Sequence, residues 1–321
     1  MATRPLSSER SSAVADAPVG NWADRYAPEY ARPYLRLARL DRPIGLWLLL
    51  LPCWWAVGLA EVALEQPYPN PWLLTLFAIG ALVMRAAGCA YNDYIDRDYD
   101  AQIERTSSRP IPSGQVSPGE ALAFAAVCSF VGFLVLIQFN AYTIKLGMAS
   151  VILVAIYPYL KRVTHWPQIA LGLVFNWGAL VGWSAVTGSL ALPALLLYAG
   201  SVLWTVGYDT IYAHQDRETD VLLGLKSTAI RFGENTMTWV GGLYAGAVVL
   251  WLAAGFFAGT HLIFFFVVVL VSLQMAWQVT TLDISDPANC LRRFRSNRDV
   301  GLVMFLGLAA DMALSRFAGL S

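Results

Sequence analysis

The chain has 321 residues, of which 57% are hydrophobic and only 14% are charged. Soluble domains are about 45–50% apolar and about 25% charged, so this composition predicts a membrane protein and excludes an ordinary soluble domain. The 22 basic and 22 acidic residues give a net charge of zero, which argues against a nucleic-acid partner. The four cysteines have no metal-binding spacing, so neither a disulfide framework nor a zinc site is supported.

The N-terminal residues 1–30 are rich in Ser, Ala and Pro and lack the apolar core of a signal peptide. They are predicted to form a disordered tail, and residues 31–321 a single transmembrane domain. Three arginines at helical spacing within 32–42 predict a short amphipathic helix suited to an anionic lipid surface.

Nine apolar segments follow, each near the length of about 20 residues that a membrane-spanning helix needs. They are residues 44–61, 71–91, 118–138, 141–159, 166–188, 191–212, 235–257, 260–280 and 299–317. Connections that hold nearly all the Lys and Arg residues alternate with connections that hold none, and the positive-inside rule places the basic ones on the cytoplasmic or matrix side. The predicted fold class is therefore all-α, a polytopic membrane protein with its N-terminus inside.

An acidic cluster, residues 92–100, directly follows the second apolar segment. Asn92, Asp96 and Asp100 are spaced by four residues, so on a helix they lie along one face. Asp93 shares a face with Asp96 and Asp100 in the same way. Carboxylates on one face repel each other unless a cation lies among them, although a solvated acidic helix end is the simpler alternative for this stretch alone.

A second acidic cluster ends the sixth apolar segment. Asp209, Asp216 and Asp220 are spaced by seven and four residues, which again corresponds to one helical face. Each cluster is followed by a basic loop that contains Ser or Thr and ends in Gly, residues 105–114 and 226–233. Two such copies, about 120 residues apart, predict two related helical halves whose acidic ends converge on a divalent cation.

The residue types in these clusters indicate the ligand. Carboxylate and amide oxygens are hard ligands suited to Mg²⁺, which usually shares its coordination shell with a substrate phosphate. The predicted metal ligands are Asn92, Asp93, Asp96, Asp100, Asp216 and Asp220. The flanking cations that would neutralise phosphate oxygens are Arg105, Arg109, Lys161, Lys226 and Arg231. Because the segments behind the site are apolar, the predicted substrate is a prenyl diphosphate, whose departing diphosphate would be stabilised by metal and cations.

Two charged residues lie deeper in the apolar segments. Arg85 is seven residues before Asn92 and on the same helical face, and a charged residue within a span is a functional candidate by default. Arg85 either pairs with Asp93 or Asp209 as a structural bridge or binds an anionic acceptor such as a carboxylate. Asp209, two turns before Asp216, is placed to face the acceptor rather than the metal.

The paired motifs Asn-Asp-x-x-Asp-x-x-x-Asp (92–100) and Asp-x-x-x-Asp (216–220) resemble those of the UbiA superfamily of intramembrane aromatic prenyltransferases. Within it, four stretches are most similar to the 4-hydroxybenzoate polyprenyltransferases: 39–60, 105–114, 208–233 and 297–308. The resemblance implies nine transmembrane helices around a central cavity, with the acidic motifs under a cytoplasmic cap. It also implies Mg²⁺-dependent transfer of a polyprenyl group from polyprenyl diphosphate to 4-hydroxybenzoate, a step of ubiquinone biosynthesis.

The resemblance further implies roles for single residues. The diphosphate would be bound by Arg105, Arg109 and Lys161, and Arg85 would orient the carboxylate of 4-hydroxybenzoate. Tyr157 and Asp209 would lie near the reacting carbons. The predicted location is the bacterial inner membrane, with the mitochondrial inner membrane as the alternative, and no obligate protein partner is evident.

Two alternatives stay open. A UbiA-type enzyme for another acceptor, such as a naphthoate, homogentisate or haem, would carry the same motifs. A divalent-cation transporter would use the same carboxylates, but transport normally needs polar residues along a path through the bilayer. The outer halves of the apolar segments hold almost none. The exception is Asp311, which is predicted to be a helix-end residue near the outer surface.

Overall fold

The computed structural model describes Ala17 and residues 20–317, apart from the side chains of Glu104 and of residues 315–317. The described residues are 80% helical and contain no β-strand, so the predicted all-α class is confirmed. Most of the predicted disordered tail, residues 1–16 and 18–19, lies outside the described residues.

Fifteen α-helices occur in the described part of the chain. They are α1 (Trp22–Tyr26), α2 (Arg32–Leu37), α3 (Ile44–Ala63), α4 (Pro71–Asp100), α5 (Glu104–Ser107), α6 (Pro118–Leu136), α7 (Ala141–Ile156), α8 (Leu160–Val163), α9 (Pro167–Thr187), α10 (Leu192–Ala213), α11 (Arg217–Leu222), α12 (Thr228–Phe232), α13 (Thr236–Ala258), α14 (Leu262–Thr280) and α15 (Pro287–Phe317). Single 3₁₀ turns occur at Tyr157–Tyr159, His214–Asp216 and Gly233–Asn235.

Eight helical segments within the described residues are long and apolar enough to cross a membrane, and they match the first eight predicted spans. The ninth predicted span, 299–317, is the second part of α15. The first part of α15, which begins at Pro287, makes most of residues 281–298 helical, whereas the sequence predicts a connection there between the eighth and ninth spans.

The start of α15 is stabilised locally. The Asp286 carboxylate accepts a hydrogen bond from the Ala288 N–H at 2.8 Å, as a helix-capping residue does. Cys290 follows in the first turn, outside the membrane-spanning segments. Burial, followed by the carboxylates of Asp286 and Asp283, raises the pKa of the Cys290 thiol to about 11. This thiol is therefore protonated at neutral pH and is a packing group rather than a nucleophile.

The chain forms two compact units. Unit 1 comprises the residues up to Gly45 together with Leu82–Phe133, and unit 2 comprises Leu46–Ala81 and the residues from Leu134 onward. The core of unit 1 is formed by small and aliphatic side chains of α2, α4, α6 and the loop before α6. Its buried members are Leu37, Ala90, Ile111, Val116, Ala121 and Ala125.

The N-terminal segment of unit 1 differs from the predicted amphipathic helix over 32–42. Helix α2 ends at Leu37, and the Arg36 side chain is buried rather than exposed to lipid. Arg36 donates to Asp24 Oδ1 at 2.7 Å and to Gln115 Oε1 at 3.0 Å. An ion pair inside the unit has replaced the predicted contact with an anionic lipid surface.

Unit 2 is held together by aromatic rings and by buried polar bonds between long helices. Trp55, Trp204 and Trp251 are at most 1% exposed, and their ring centroids are 5.3–5.8 Å apart. The Trp204 indole N–H donates to Asn297 Oδ1 of α15 at 2.8 Å. In membrane proteins such interhelical hydrogen bonds and close packing replace the hydrophobic driving force of soluble cores.

Asp311, the isolated acidic residue of the last predicted span, has a structural role. It is fully buried in α15, and its carboxylate accepts hydrogen bonds from the N–H groups of His261 at 2.7 Å and of Phe264 at 3.1 Å. These N–H groups belong to the start of α14, where helices have unsatisfied donors. Asp311 therefore caps the neighbouring helix α14, and its charge requires no transport path.

Candidate functional site

The first acidic motif occupies the last two and a half turns of α4. A helix of 30 residues is about 45 Å long, whereas the hydrocarbon core of a bilayer is about 30 Å thick. The polar end of α4 therefore extends beyond the hydrocarbon. Asp93, Asp96 and Asp100 are 0%, 1% and 5% exposed, although Asp98 on the same turns has an 80% exposed side chain. The helical spacing read from the sequence therefore puts Asp93, Asp96 and Asp100 on the buried side of α4, while Asp98 is exposed to solvent.

Two buried acids of α4 are neutralised by arginines. Arg39 Nη2 donates to Asp93 Oδ1 at 2.6 Å, and Arg109 Nη1 lies 3.5 Å from the same oxygen. Arg109 Nη1 also donates to Asp100 Oδ2 at 2.7 Å. Burial of a charge is costly unless it is paired, and these pairs meet that requirement for Asp93 and Asp100.

Arg39 is not among the site residues predicted from the sequence. The available signal was its place at the start of the stretch 39–60, which resembles the family. Arg39 lies in the turn after α2 with a φ of 59°, a left-handed conformation that is uncommon for residues other than glycine. A helical-spacing argument over 32–42 does not find this conformation, because it assumes helical dihedral angles throughout.

Asp96 has a different environment from its two neighbours. The Asn92 amide donates from Nδ2 to Asp96 Oδ2 at 3.1 Å, one helical turn away. The two side chains therefore present an amide oxygen and a carboxylate on one side of α4. These are the predicted donor types for a hard cation.

The basic loop after α4 folds back onto the helix end. The buried Thr106 hydroxyl donates to the Asp100 carbonyl at 2.9 Å, and the Arg109 N–H donates to the Thr106 carbonyl at 2.9 Å. These bonds hold Arg109 beside the Asp100 carboxylate. Arg105 lies in the same loop, within α5, and is partly buried. The predicted link between the acidic motif and its basic loop is therefore present in unit 1.

Arg85 lies two turns before Asn92 on α4, which corresponds to about 10 Å along the helix axis. Its guanidinium packs directly on the backbone of Gly45. A Cβ added to Gly45 would overlap Arg85 Nη2 and Cζ. Gly45 is thus a position where a close approach requires the absence of a side chain. It was not among the predicted site residues.

The second acidic motif does not lie on one uninterrupted helix. Asp209 is in α10, Asp216 ends the 3₁₀ turn His214–Asp216, and Asp220 is in α11. His214 is buried, and its Nε2 lies 2.9 Å from the Thr236 hydroxyl at the start of α13. The 3₁₀ turn has about three residues per turn instead of 3.6. The predicted alignment of Asp209 and Asp216 along one face of a regular α-helix therefore does not apply.

The basic residues of unit 2 belong to segments that contact each other. Tyr157 is in the first 3₁₀ turn and Lys161 is in α8, just after it. The Lys226 N–H donates to the Lys161 carbonyl at 2.9 Å, and Lys226 Nζ donates to the Val163 carbonyl at 3.0 Å. The exposed Arg231 lies over the Trp166 ring, 5.5 Å from its centroid.

The donor chemistry of both motifs fits Mg²⁺. Within the residues that the structure describes, no three His, Cys, Asp or Glu side chains form a complete metal-binding group. Mg²⁺ is usually held by one or two carboxylates with waters and substrate phosphates, so a three-carboxylate cage is not required. Asn92, Asp96 and Asp100 in unit 1, and Asp216 and Asp220 in unit 2, supply the hard oxygen donors that this mode of binding uses.

Comparison with known proteins assigns the family. Residues 49–308 match the sequence model of the UbiA prenyltransferase family. The chain belongs to the UbiA prenyltransferase family. This finding confirms the resemblance that the paired acidic motifs carry.

Relatives from animals and plants cover most of the chain. The mitochondrial 4-hydroxybenzoate polyprenyltransferase of Rattus norvegicus is 48% identical over 283 residues, which are 88% of this chain and 75% of the rat protein. The enzyme of the same name from Homo sapiens is 47% identical and covers 88% of this chain and 76% of its own length. The Arabidopsis thaliana enzyme of that name is 45% identical over 289 residues, 90% of this chain and 70% of its own.

Solved structures support the fold. The apo structure of a UbiA homologue from Aeropyrum pernix K1 has a TM-score of 0.69 and 28% identity, covering 83% of this chain and 98% of that protein. A UbiA homologue from Archaeoglobus fulgidus bound to GPP and Mg²⁺ has a TM-score of 0.64 and 20% identity, covering 88% and 99%. At this lower identity the second likeness shows the fold alone.

Proposed function

We propose that this membrane enzyme transfers a polyprenyl group from polyprenyl diphosphate to the ring carbon of 4-hydroxybenzoate that is ortho to the phenol. The observation that carries the proposal is the 48% identity with the rat 4-hydroxybenzoate polyprenyltransferase over 88% of this chain. The buried acids of unit 1, the half-buried acids of unit 2 and the basic loops of both units support the same chemistry.

We propose that each acidic motif binds Mg²⁺ and diphosphate oxygens. The residues that would do so are Asn92, Asp96 and Asp100 in unit 1, and Asp216 and Asp220 in unit 2. When bound, Mg²⁺ supplies Lewis-acid stabilisation of the departing diphosphate. The Archaeoglobus homologue of the same fold, bound to GPP and Mg²⁺, is consistent with this assignment.

The cations of the basic loops would neutralise the diphosphate as it leaves. Arg105 and Arg109 in unit 1 and Lys161 in unit 2 are the proposed diphosphate-binding residues. For Lys226, the hydrogen bond from its ammonium to the Val163 carbonyl favours an indirect role. Asp93, which is fully buried between Arg39 and Arg109, is better suited to holding these arginines than to binding metal.

The proposed reaction exchanges one bond for another at the prenyl C1 atom. The C–O bond to diphosphate breaks and its electron pair leaves with the diphosphate. The 4-hydroxybenzoate ring carbon supplies the pair for the new C–C bond, and loss of its proton restores aromaticity. Arg85 is proposed to bind the acceptor carboxylate, Asp209 to accept a hydrogen bond from the phenol or remove the proton, and Tyr157 to lie near the reacting carbons.

The protein is a multi-pass membrane protein, and its membrane and pathway are part of the proposal. Prenylated 4-hydroxybenzoate is the expected intermediate of ubiquinone biosynthesis. The relatives from rat, human and Arabidopsis are mitochondrial by name, which favours the mitochondrial inner membrane over the bacterial inner membrane predicted from the sequence. Cell fractionation of the source organism decides between the two locations.

Replacement of Gly45 by alanine should weaken acceptor binding. The added Cβ would take the space of the Arg85 guanidinium, so the arginine must move from its position. We expect the KM for 4-hydroxybenzoate to rise about tenfold, equivalent to about 1.4 kcal/mol, with a smaller change in kcat. Gly88→Ala on α4 is the matched control, because a Cβ there meets nothing within 4 Å. Equal KM values for the two variants would remove Arg85 from the acceptor site.

Acceptor competition tests the proposed function. Proteoliposomes that contain the purified protein receive Mg²⁺, a polyprenyl diphosphate, and equal concentrations of 4-hydroxybenzoate, a dihydroxynaphthoate and homogentisate. We expect prenylated 4-hydroxybenzoate to dominate the products. Preference for another acid would assign a different acceptor, and Mg²⁺ flux without prenyl diphosphate or product would identify a transporter.

A further inference from the structure

Lys226 and Thr228 join three segments of unit 2, and we call this group the 226–228 clamp. On one side, the Lys226 N–H donates to the Lys161 carbonyl at 2.9 Å and Lys226 Nζ donates to the Val163 carbonyl at 3.0 Å. Both acceptors belong to α8. Carbonyls of a last helical turn lack partners within the helix, and a lysine ammonium is well suited to bind them.

The other side of the clamp is anchored on two long helices. The Thr228 N–H donates to Gln168 Oε1 in the first turn of α9 at 3.1 Å, and the Thr228 and Thr210 hydroxyls lie 2.6 Å apart. Gln168 is 5% exposed, and both threonines are fully buried. Thr210 directly follows Asp209 in α10. The clamp therefore connects α8, through the Lys226 N–H and an exposed hydrogen bond of the Lys226 ammonium, to buried hydrogen bonds on α9 and α10.

Lys161 lies two residues before the end of the helical segment Ala141–Val163, whose last turn is α8. Helix ends fray and their last carbonyls lack partners within the helix, so the bonds from Lys226 supply fixed partners to this turn. A side chain that must meet a diphosphate needs a fixed backbone beneath it.

We propose that Lys226 and Gln168 are positioning residues that fix Lys161 for diphosphate binding, Lys226 directly through α8 and Gln168 through Thr228. The inference rests on the proposed function, because it explains how Lys161, one of the proposed diphosphate-binding residues, is kept in position. Lys226 is thus proposed to act on the substrate through Lys161, whereas the sequence predicts that Lys226 contacts the substrate itself.

Two substitutions of Lys226 separate positioning from charge. Lys226→Gln keeps a hydrogen-bond donor and removes the charge, whereas Lys226→Met removes both. We expect Lys226→Met to raise the KM for polyprenyl diphosphate about tenfold, with the KM for 4-hydroxybenzoate unchanged, and Lys226→Gln to retain most of the wild-type value. Equal losses in both variants would show that Lys226 contacts the diphosphate through its charge.

A double-substitution cycle with Lys161 tests whether the two lysines act in series. If Lys226 works through Lys161, the Lys226→Met change has little further effect on the diphosphate KM in a Lys161→Met background. Additive effects would overturn the inference. Amide hydrogen exchange in residues 160–164 is measured in parallel, and we expect it to accelerate in Lys226→Met. Wild-type protein that shows no prenyl transfer would contradict the proposed function instead, whereas the exchange result does not depend on activity.

Gln168→Met removes the other anchor and has a matched control on the same helix. Ser184, about 24 Å away along α9, accepts a hydrogen bond from the Thr143 hydroxyl at 3.0 Å, so Ser184→Ala removes a buried bond far from the clamp. We expect a five- to tenfold higher KM for polyprenyl diphosphate in Gln168→Met, and no KM change in Ser184→Ala at a similar loss of thermal stability. Indistinguishable kinetics in the two variants would reduce Gln168 to a stabilising residue.

Discussion

Replacing Asp96 with asparagine is expected to lower the kcat of prenyl transfer about 10²–10³-fold, the loss typical of removing one charge-stabilising group from an active site. Asp96 is 1% exposed, and Asn92 donates a hydrogen bond to it. Asparagine keeps the size of the side chain and removes the negative charge that a divalent cation needs. Because metal affinity should fall as well, the variant should require a higher Mg²⁺ concentration for half-maximal activity.

Asp98 provides the matched control for this substitution. It lies two residues away on the same helix, and its side chain is 80% exposed. We expect Asp98→Asn to keep wild-type kcat and the wild-type Mg²⁺ requirement. If Asp96→Asn and Asp98→Asn show the same Mg²⁺ titration and kcat, the acidic motif of α4 does not bind the metal.

Replacing Asp93 with asparagine is expected to reduce stability, by about 3 kcal/mol in the free energy of unfolding. Asp93 is fully buried and accepts from Arg39 at 2.6 Å, with Arg109 at 3.5 Å. Removal of the carboxylate leaves two largely buried guanidinium groups without this counter-charge. Unfolding is best measured in detergent with EDTA present, because a metal ion cannot then contribute to the difference.

The role of Asp93 is decided by comparison with Asp98 on the same helix. Asp98→Asn, at a side chain that is 80% exposed, should lose much less stability than Asp93→Asn under the same metal-free conditions. An Arg39→Met/Asp93→Asn double variant should lose less than the sum of the two single changes, because the remaining charge is removed with its partner. Unchanged stability of Asp93→Asn together with a raised Mg²⁺ requirement would instead make Asp93 the direct metal ligand that the sequence predicts.

Features that depend on composition and local periodicity are predictable from this sequence. Eight of the nine predicted spans correspond to helices that qualify as membrane-crossing within the described residues, because about 20 apolar residues leave few alternatives. The spacing of Asp96 and Asp100 on α4 is likewise a local property. It needs only an uninterrupted helix to bring both carboxylates to one buried face.

Features that depend on distant contacts are not predictable in this way. The 3₁₀ turn at His214–Asp216 accompanies a contact between His214 and Thr236, which are 22 residues apart. The pairing of Arg39 with Asp93 spans 54 residues and uses a left-handed backbone conformation. Lys226 is predicted as a substrate ligand from its charge and its place in the loop after the second acidic motif, and its hydrogen bond to Val163 is a tertiary contact that neither reveals. Charge and spacing identify the region of the site, but they do not show which hydrogen-bond or ion-pair partner each side chain has.

The most direct test of the central claim is the product balance of the purified enzyme in proteoliposomes. Polyprenyl diphosphate, 4-hydroxybenzoate and Mg²⁺ are supplied, and both prenylated acid and released pyrophosphate are quantified by mass spectrometry and a coupled assay. We predict one pyrophosphate for each prenylated 4-hydroxybenzoate, complete loss of both products with EDTA, and recovery on addition of excess Mg²⁺. Pyrophosphate release without a prenylated acid, or product formation that EDTA does not affect, would contradict the proposed reaction.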